Sequence, residues 1–293
     1  MKISKLIEVI KNYHKGDVDG VTIDDETTRD QILYGNPNVD CTGIITTCWA
    51  TIEVIKEAIK KNANFIICHE ALFWNHGDKQ DWLIENKNQV YFEKRKLLDE
   101  YGIVVWRDHD YIHSGIPMED GSYRDGIFYG VAKLLNWHNC FSERDTFESI
   151  NFEISEISAK ELASKIIEIF HLNGVKFIGN PNARINKVKL PMHIIGGAND
   201  LINKAEKEDI NCFLTMELSD FTFTEYVRDA AMLGLDRCII AMGHFNIEES
   251  GMWYMAQWLQ DIIKTRVEIV CYTTFTLFFC SISLKLPNDN VTH

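Results

Sequence analysis

The sequence predicts an α/β protein with two βαβ-type domains, whose mixed or mostly parallel sheets are flanked by helices. Short, continuously apolar runs alternate with amphipathic helical patterns through both halves of the chain. The run Phe65–Cys68 is apolar throughout, as is typical of parallel strands buried on both faces. A chain of 293 residues has room for two domains. We place them at 1–135 and 136–293 and expect that the last segment can pack back against the first domain.

The first half begins with a helical pattern, and a regular βα rhythm follows after a polar segment. Lys60 and Lys61 lie opposite the apolar face of the second helix, and Gly102 is the C-cap candidate of the third. We predict a helix over 3–13, a loop over 17–30, a strand over 43–48, a helix over 51–62, a strand over 65–68, a helix over 90–101, a strand over 103–107 and a helix over 126–136.

The second half is less regular at first and then repeats the same rhythm. Asn173 and Gly174 end its first clear helix, and Gly234 ends a later one. We predict a strand over 150–154, a helix over 159–172, a strand over 188–195, a helix over 198–207, a strand over 210–215, a helix over 221–233, a strand over 237–242, a helix over 249–264 and a strand over 267–272.

Composition bounds the partners of the protein. The net charge of −13 and the pI of about 5.2 argue against nucleic acid as a partner. The eight cysteines contain no C-x-x-C pair, so we expect reduced thiols and a cytoplasmic location.

The apolar segment 267–284 contains Glu268 and several hydroxyl residues. We predict a strand followed by an apolar tail, 273–284, and expect no membrane span. The tail could form an oligomer contact.

Three predicted strands end in side chains that bind metals. Ligands of open α/β sheets lie beyond the carboxyl ends of strands, and imidazole with carboxylate suits zinc, iron or manganese. Each group alone is more often structural, but three groups at strand ends favour one shared metal site. Glu217 and Asp220 follow another strand and either contact substrate or lie in a solvated loop. The three groups are His69 with Glu70, His109 with Asp110 and His113, and His244 with Glu248.

The order of these motifs resembles the GTP cyclohydrolase 1 type 2 homologue family, also called Nif-three-like dinuclear metal centre proteins, over roughly residues 30–272. The family's closing Gly-His-x-x-x-Glu is matched fully by Gly243 to Glu248, and its Thr-Gly-Glu corresponds to Thr215–Glu217. Two ligands differ, because Glu70 stands where the family has a second His and His113 where it has an Asp. The exchange preserves three His and two carboxylates. By resemblance, the metal ligands are His69, Glu70, His113, His244 and Glu248.

The resemblance implies a toroidal homohexamer with two divalent ions per chain, either zinc, iron or manganese. It implies a metal-dependent hydrolase acting on a nucleotide or related small molecule, with GTP as the family's named substrate. His109, Asp110 or Glu217 could move the proton, and Asp110 as a third carboxylate would favour manganese or iron. Two alternatives stay open, namely a non-catalytic hexameric metal-binding regulatory or scaffold protein and a small-nucleotide phosphoesterase.

Overall fold

The computed structural model describes residues 1–143, 150–191, 193–263 and 267–272, and over these residues the predicted α/β fold class is confirmed. The apolar tail 273–284 lies outside the described residues. The strands are β1 (Asp17–Val18), β2 (Val21–Thr22), β3 (Ile32–Tyr34), β4 (Gly43–Thr47), β5 (Phe65–Cys68), β6 (Val104–Arg107), β7 (Ile116–Pro117), β8 (Tyr123–Arg124), β9 (Ile150–Ser158), β10 (Lys176–Gly179), β11 (Arg184–Leu190), β12 (His193–Ile194), β13 (Cys212–Thr215), β14 (Glu217–Leu218), β15 (Cys238–Ala241) and β16 (Glu268–Cys271). The helices are α1 (Ile3–Tyr13), α2 (Ile52–Lys60), α3 (Asp81–Glu85), α4 (Gln89–Glu100), α5 (Asp110–Ser114), α6 (Gly126–Leu134), α7 (Ala159–Ile169), α8 (Asn199–Glu208), α9 (Phe223–Met232) and α10 (His244–Ile262).

The chain divides into two compact units. The first unit takes Met1–Lys133 together with a returning segment that begins at Ile247, and the second takes Leu134–Asn246. The returning segment contains most of α10 and the strand β16, which pairs with β4 of the first unit. Residues near the C-terminus therefore complete the sheet that residues near the N-terminus begin.

The first unit is built around a five-stranded sheet in the order β16-β4-β5-β6-β3. Four of these strands are parallel, and β3 runs antiparallel to β6 at the edge. The central strands β4, β5 and β6 are buried throughout, because helices that follow each strand cover the sheet. Thr51, which follows the end of β4 by four residues, caps α2 by accepting the N–H of Val54 at 3.3 Å and so starts the first crossover helix. The parallel arrangement brings the carboxyl ends of β5 and β6 side by side.

Two helices of the first unit, α6 and α10, approach each other through glycine. A Cβ on Gly130 would lie 2.6 Å from the backbone Cα of Gly251, and a Cβ on Gly251 would press on the backbone of Ile127. No larger residue fits at either position without moving a helix. Since α10 carries Glu248, the glycine contact sets the position of that carboxylate.

The second unit contains a mixed five-stranded sheet in the order β10-β15-β13-β11-β9. Its three central strands are parallel, and the two edge strands are antiparallel to their neighbours. A separate parallel pair, β12 and β14, lies beyond the ends of β11 and β13 in the chain. This pair aligns His193 with Glu217. The predicted strand at 188–195 is thus two strands, β11 and β12.

Several elements differ from the predictions. The segment 17–30, predicted as loop, contains the hairpin β1–β2. The strands β3 and β10 and the helices α3 and α5 were not predicted, because each is five residues or shorter and none shows a clear period. In the described ranges, no helix combines the length and apolar character needed to cross a membrane.

Candidate metal centre

The first cluster of metal-type side chains lies at the carboxyl ends of β5 and β6. These strands pair in register, with Cys68 opposite Arg107, so the residues that follow each strand meet at one edge of the sheet. His69 is the first residue after β5, and its side chain is fully buried. Asp108 is the first residue after β6, and its backbone N–H donates to the carbonyl of Cys68 at 2.9 Å. The cluster is therefore anchored directly to the central sheet.

The helix α5 places two further histidines beside His69. The buried carboxylate of Asp30 accepts the backbone N–H of His109 at 2.6 Å and that of Asp110 at 2.8 Å. Asp30 thus binds the N–H groups that the first turn of a helix leaves unpaired, which explains why so short a helix forms here. His109 and His113 stand one turn apart, and the N–H of His113 donates to the carbonyl of His109 at 3.1 Å.

The three imidazole rings form a compact group. The rings of His69 and His109 are stacked, with centroids 4.6 Å apart and planes inclined by 7°. The ring of His113 stands edge-on to both, at 5.0 Å and 70°. One nitrogen from each ring lies within 4.8 Å of the other two. Three buried or half-buried imidazoles at this separation can ligate one ion.

In every ring of this group, the Nδ1 atom forms a hydrogen bond with an oxygen atom. A carbonyl or carboxylate oxygen carries no proton, so each Nδ1 must be the donor. In the neutral imidazole the Nε2 lone pair is then free to bind a metal, and partners of this kind are the usual second layer of metal sites. The pairs are His69 Nδ1 with the Asp108 carbonyl at 3.0 Å, His109 Nδ1 with Asp110 Oδ1 at 2.9 Å, and His113 Nδ1 with Asp125 Oδ2 at 2.7 Å.

The Nε2 atom of His69 is buried and has no hydrogen-bond partner among the described residues. It lies 3.6 Å from Glu248 Oε1, which is an ion-pair distance and too long for a hydrogen bond. Burial lowers the pKa of His69, but the Glu248 carboxylate outweighs it and raises the pKa to about 9. A divalent ion between the two atoms would displace that proton and satisfy both groups. The residues present therefore fit a metal ion.

Glu70 and Cys48 lie close to the same carboxylate. Burial raises the pKa of the Cys48 thiol well above its usual value, and the charges of Glu248, Glu249 and Glu70 raise it further. The Cys48 thiol is therefore protonated and donates to Glu248 Oε2 at 3.6 Å. Glu70 is half-buried, and its Oε2 lies 3.5 Å from His76 Nδ1. The negative charge gathered here favours a cation.

His109 and Asp110 form a hydrogen-bonded pair in which the pKa of each group lies below its usual value. Burial lowers the pKa of His109 to about 4, and the neighbouring His69 lowers it further. Burial raises the pKa of Asp110, but its hydrogen bonds to His109, to the N–H of Arg29 and to Thr28 outweigh this and hold it below its usual range. At neutral pH a neutral imidazole thus donates to an ionised carboxylate.

The carboxylate of Asp108 pairs with another buried histidine, His14. His14 Nε2 and Asp108 Oδ2 are 2.9 Å apart, and both side chains are fully buried. The ring of His14 packs edge-on against Trp258 at 5.6 Å. Because the backbone carbonyl of Asp108 orients His69, this pair fixes the orientation of a candidate ligand.

A second cluster lies in the second unit and consists of His193, Glu217 and His244. The two carboxylate oxygens of Glu217 face one imidazole each: Oε2 pairs with Nδ1 of His193, and Oε1 with Nδ1 of His244 at 2.5 Å. One ligand atom from each residue lies within 4.8 Å of the other two. All three side chains are between 32% and 39% exposed.

A sharp turn places His244 at the start of its helix. Gly243 has a φ of +97°, which only glycine adopts readily, and α10 begins at the next residue. Asn246 Nδ2 donates to the carbonyl of Met242 at 2.6 Å and ties the first turn to the end of β15. His244 and Glu248 are four residues apart in this helix, but they belong to different units.

The structure distributes the predicted site residues over the two units. His69, Glu70, His109, Asp110, His113 and Glu248 lie in the first unit, and Glu217 and His244 lie in the second. The residues that sequence reasoning missed are His193, Asp125 and Asp30. Asp125 before Gly126 resembles a helix cap, which was a usable signal, whereas the pairing of His193 with Glu217 depends on a strand register that no local pattern reveals.

Comparisons with known proteins agree with this fold. A curated GTP cyclohydrolase 1 type 2 homolog of Clostridium acetobutylicum is 21% identical over 272 residues, covering 90% of this chain and 91% of the relative. One from Staphylococcus epidermidis is 38% identical over 178 residues, covering 50% of this chain and 46% of the relative. The crystal structure of a hypothetical protein of Staphylococcus aureus has a TM-score of 0.68 at 18% identity, covering 96% and 99% of the two chains. The family profile of Duf34/NIF3 (NGG1p interacting factor 3) matches residues 1–96 and 120–276. The chain therefore belongs to the Duf34/NIF3 family.

Proposed function

We propose that this protein is a divalent-metal-dependent hydrolase of the GTP cyclohydrolase 1 type 2 kind, acting on a nucleotide or a related small molecule with two bound ions of zinc, iron or manganese. The observation that carries the proposal is the group of three histidines in the first unit. Each ring has its Nδ1 held by an oxygen, and the Nε2 of His69 is buried and faces Glu248. A purely structural histidine would have both nitrogens satisfied or one in solvent.

In this proposal His69, His113 and Glu248 hold one ion. When bound, it would lower the pKa of a water and polarise the bond under attack. The low pKa of His109 keeps its imidazole neutral at pH 7, so we assign it to the same ligand set. Asp110 then acts by holding the Nδ1–H of His109. The Glu70 carboxylate adds to the negative charge around Cys48, as Glu248 does. In this proposal the charge of Glu70 neutralises part of the positive charge of the ion.

A nucleotide panel with Mn²⁺, Fe²⁺ or Zn²⁺ added back tests the proposal, with GTP as its first member. The His113→Gln variant removes one proposed ligand, and His171→Ala is the matched control because His171 is exposed and lies in the second unit. We expect turnover by the wild type and by the control, and a loss of at least 100-fold in kcat for His113→Gln. Metal binding without turnover of any member would favour the non-catalytic metal-binding alternative. A wild type that binds no metal would contradict both.

The same family likeness supports a homo-oligomer, and we propose a hexamer. The molecular mass in solution, measured by light scattering during size exclusion, tests it directly. A mass near 33.9 kDa, that of one chain, would contradict the proposed assembly.

A further inference from the structure

We propose that Arg29 binds a phosphate group of the substrate beside the candidate metal centre of the first unit. The inference deepens the proposed function, on which it rests, because it assigns a residue that recognises a nucleotide or another phosphate ester. Arg29 lies in the polar segment 17–30, which contains none of the proposed metal ligands, and its side chain is exposed.

The backbone of Arg29 is fixed at both of its polar groups. Its N–H donates to Asp110 Oδ2 at 2.9 Å, and the other oxygen of that carboxylate pairs with His109 Nδ1 at 2.9 Å. Its carbonyl accepts Arg107 Nε at 2.5 Å. Arg29 therefore lies two hydrogen bonds from a proposed metal ligand, and its backbone is held in place on elements of the sheet and of α5.

The buried Arg107 also holds a second segment at this edge of the sheet. Arg107 is the last residue of β6 and is 4% exposed, and its Nη1 pairs with Asp78 at 2.8 Å. The same Nη1 donates to the carbonyl of His76 at 3.4 Å. The imidazole of His76 in turn lies 3.5 Å from Glu70. One guanidinium thus joins the segment of Arg29 to the loop that follows the candidate ligands of β5.

The acids around Arg29 already have partners. Asp25 pairs with Lys11 at 2.7 Å and accepts the hydroxyl of Tyr111 at 3.0 Å. Asp30 accepts backbone N–H groups at the start of α5. Among the residues that the structure describes, the guanidinium of Arg29 itself forms no hydrogen bond or ion pair. The local structure therefore leaves this cation available for a ligand.

The guanidinium of Arg29 has the chemistry of a phosphate-binding group. It is always charged, and its planar donors can bind two phosphate oxygens at once. The chain has a net charge of −13, and Glu70 and Asp110 lie at this edge, so a polyanionic substrate requires a fixed cation here in addition to the metal. Two cations nearby cannot serve, because Arg107 and Lys94 are buried and donate to backbone carbonyls.

The test measures the Kd of GTP, guanosine and ribose 5-phosphate by equilibrium dialysis against the full-length protein loaded with Mn²⁺. Arg29→Gln should weaken GTP binding by about 10- to 100-fold, the usual effect of losing a hydrogen bond to a charged group, and should leave guanosine binding unchanged. Arg29→Lys keeps the charge but loses the planar donors, so its Kd for GTP should be intermediate. Arg228→Gln is the matched control, because Arg228 is an exposed arginine of α9 in the second unit and its loss changes the net charge equally.

The metal content per chain separates phosphate binding from a structural role. It should be the same in the wild type and in every variant, because the side chain of Arg29 holds no metal in this proposal. Loss of Mn²⁺ together with loss of GTP in Arg29→Gln would show a structural role and overturn the inference. A wild type that binds GTP no more tightly than guanosine would also overturn it.

The remaining outcomes separate the inference from the proposed function. If Arg29→Gln binds GTP as tightly as the wild type, or weakens GTP and guanosine equally, the inference is wrong and the metal centre is unaffected. If the protein binds no Mn²⁺ and Arg29→Gln still weakens GTP alone, the phosphate site is supported and the proposed function is contradicted. An effect of Arg29→Gln on ribose 5-phosphate as well as on GTP would support a site for phosphate esters in general, and an effect on GTP alone would support a site for nucleotides.

Discussion

Asp125 makes two kinds of contact, one with His113 and one with the start of α6, and different substitutions can remove them separately. Its Oδ2 accepts the Nδ1–H of His113 at 2.7 Å, and its Oδ1 accepts the N–H groups of Ile127 at 2.9 Å and Phe128 at 3.1 Å. The first contact orients a candidate metal ligand and the second caps α6. Serine keeps the helix cap and loses the histidine contact, whereas alanine loses both.

Asp125→Ser and Asp125→Ala should therefore have the same reduced affinity for metal. Loss of a partner that orients a ligand typically weakens binding by roughly 10- to 100-fold, which corresponds to about 1.4–2.7 kcal/mol. Metal-free Asp125→Ala should be less stable than Asp125→Ser by about 1 kcal/mol, the usual contribution of a cap. Asp125→Asn should also bind metal weakly. Its carbonyl can cap the helix, but its amide then faces Nδ1 of His113 and forces the proton onto Nε2.

Competition with a chelator measures the metal affinity, and urea unfolding of the metal-free protein measures the stability. Asp120→Asn is the control, because Asp120 is an exposed carboxylate that accepts hydrogen bonds from Ser122 within its own turn. Wild-type metal affinity in both Asp125→Ser and Asp125→Asn would refute the reasoning. An affinity that falls in step with stability across the three variants would also refute it, since the defect would then be in folding.

Three further predictions concern the first unit. Gly251→Ala should destabilise the protein by about 1–3 kcal/mol, because the new methyl group meets the backbone of Ile127; unchanged urea unfolding would contradict the close packing. Burial lowers the pKa of Lys94 to about 8, so the cost of its buried charge is complete below pH 8 and is relieved as the pH approaches 10.5. The free energy of unfolding of the wild type, relative to that of Lys94→Met, should thus rise by up to about 3 kcal/mol between pH 8 and 10.5. If this difference between the two proteins does not change with pH over that range, the Lys94 ammonium that donates to the Leu72 carbonyl is not desolvated. The Cys48 thiol is fully buried with a raised pKa, so iodoacetamide at pH 8 should alkylate it only after unfolding, as mass spectrometry of tryptic peptides would show.

The sequence was sufficient to predict the regular elements, because those elements carry their own periodic signal. The fully apolar run Phe65–Cys68 forms a central parallel strand as predicted, and the apolar face of the first helix is buried. The short elements could not be predicted in this way. The helix Asp110–Ser114 exists because Asp30, about eighty residues earlier, binds its first N–H groups. The strand Lys176–Gly179 forms by antiparallel pairing with a strand some sixty residues later.

The candidate site shows the same division between local and long-range information. His69 and Glu248 could be selected from the sequence because strand ends and helix spacing are local patterns. The roles of their neighbours depend on contacts across the fold, such as the carbonyl of Asp108 on His69 or the pairing of His193 with Glu217. Sequence reasoning could thus predict which residue types bind metal, but not how each ring is oriented or which three histidines meet.

In the proposed metal centre, His69, His109 and His113 bind one ion through Nε2. Anomalous diffraction at the zinc edge, from crystals of the full-length protein grown with Zn²⁺, tests it most directly. We expect a peak about 2.0–2.1 Å from all three Nε2 atoms, with each Nδ1 still bonded to its oxygen. A zinc-loaded crystal without a peak at this position, or with the His109 ring turned away from the ion, would contradict it.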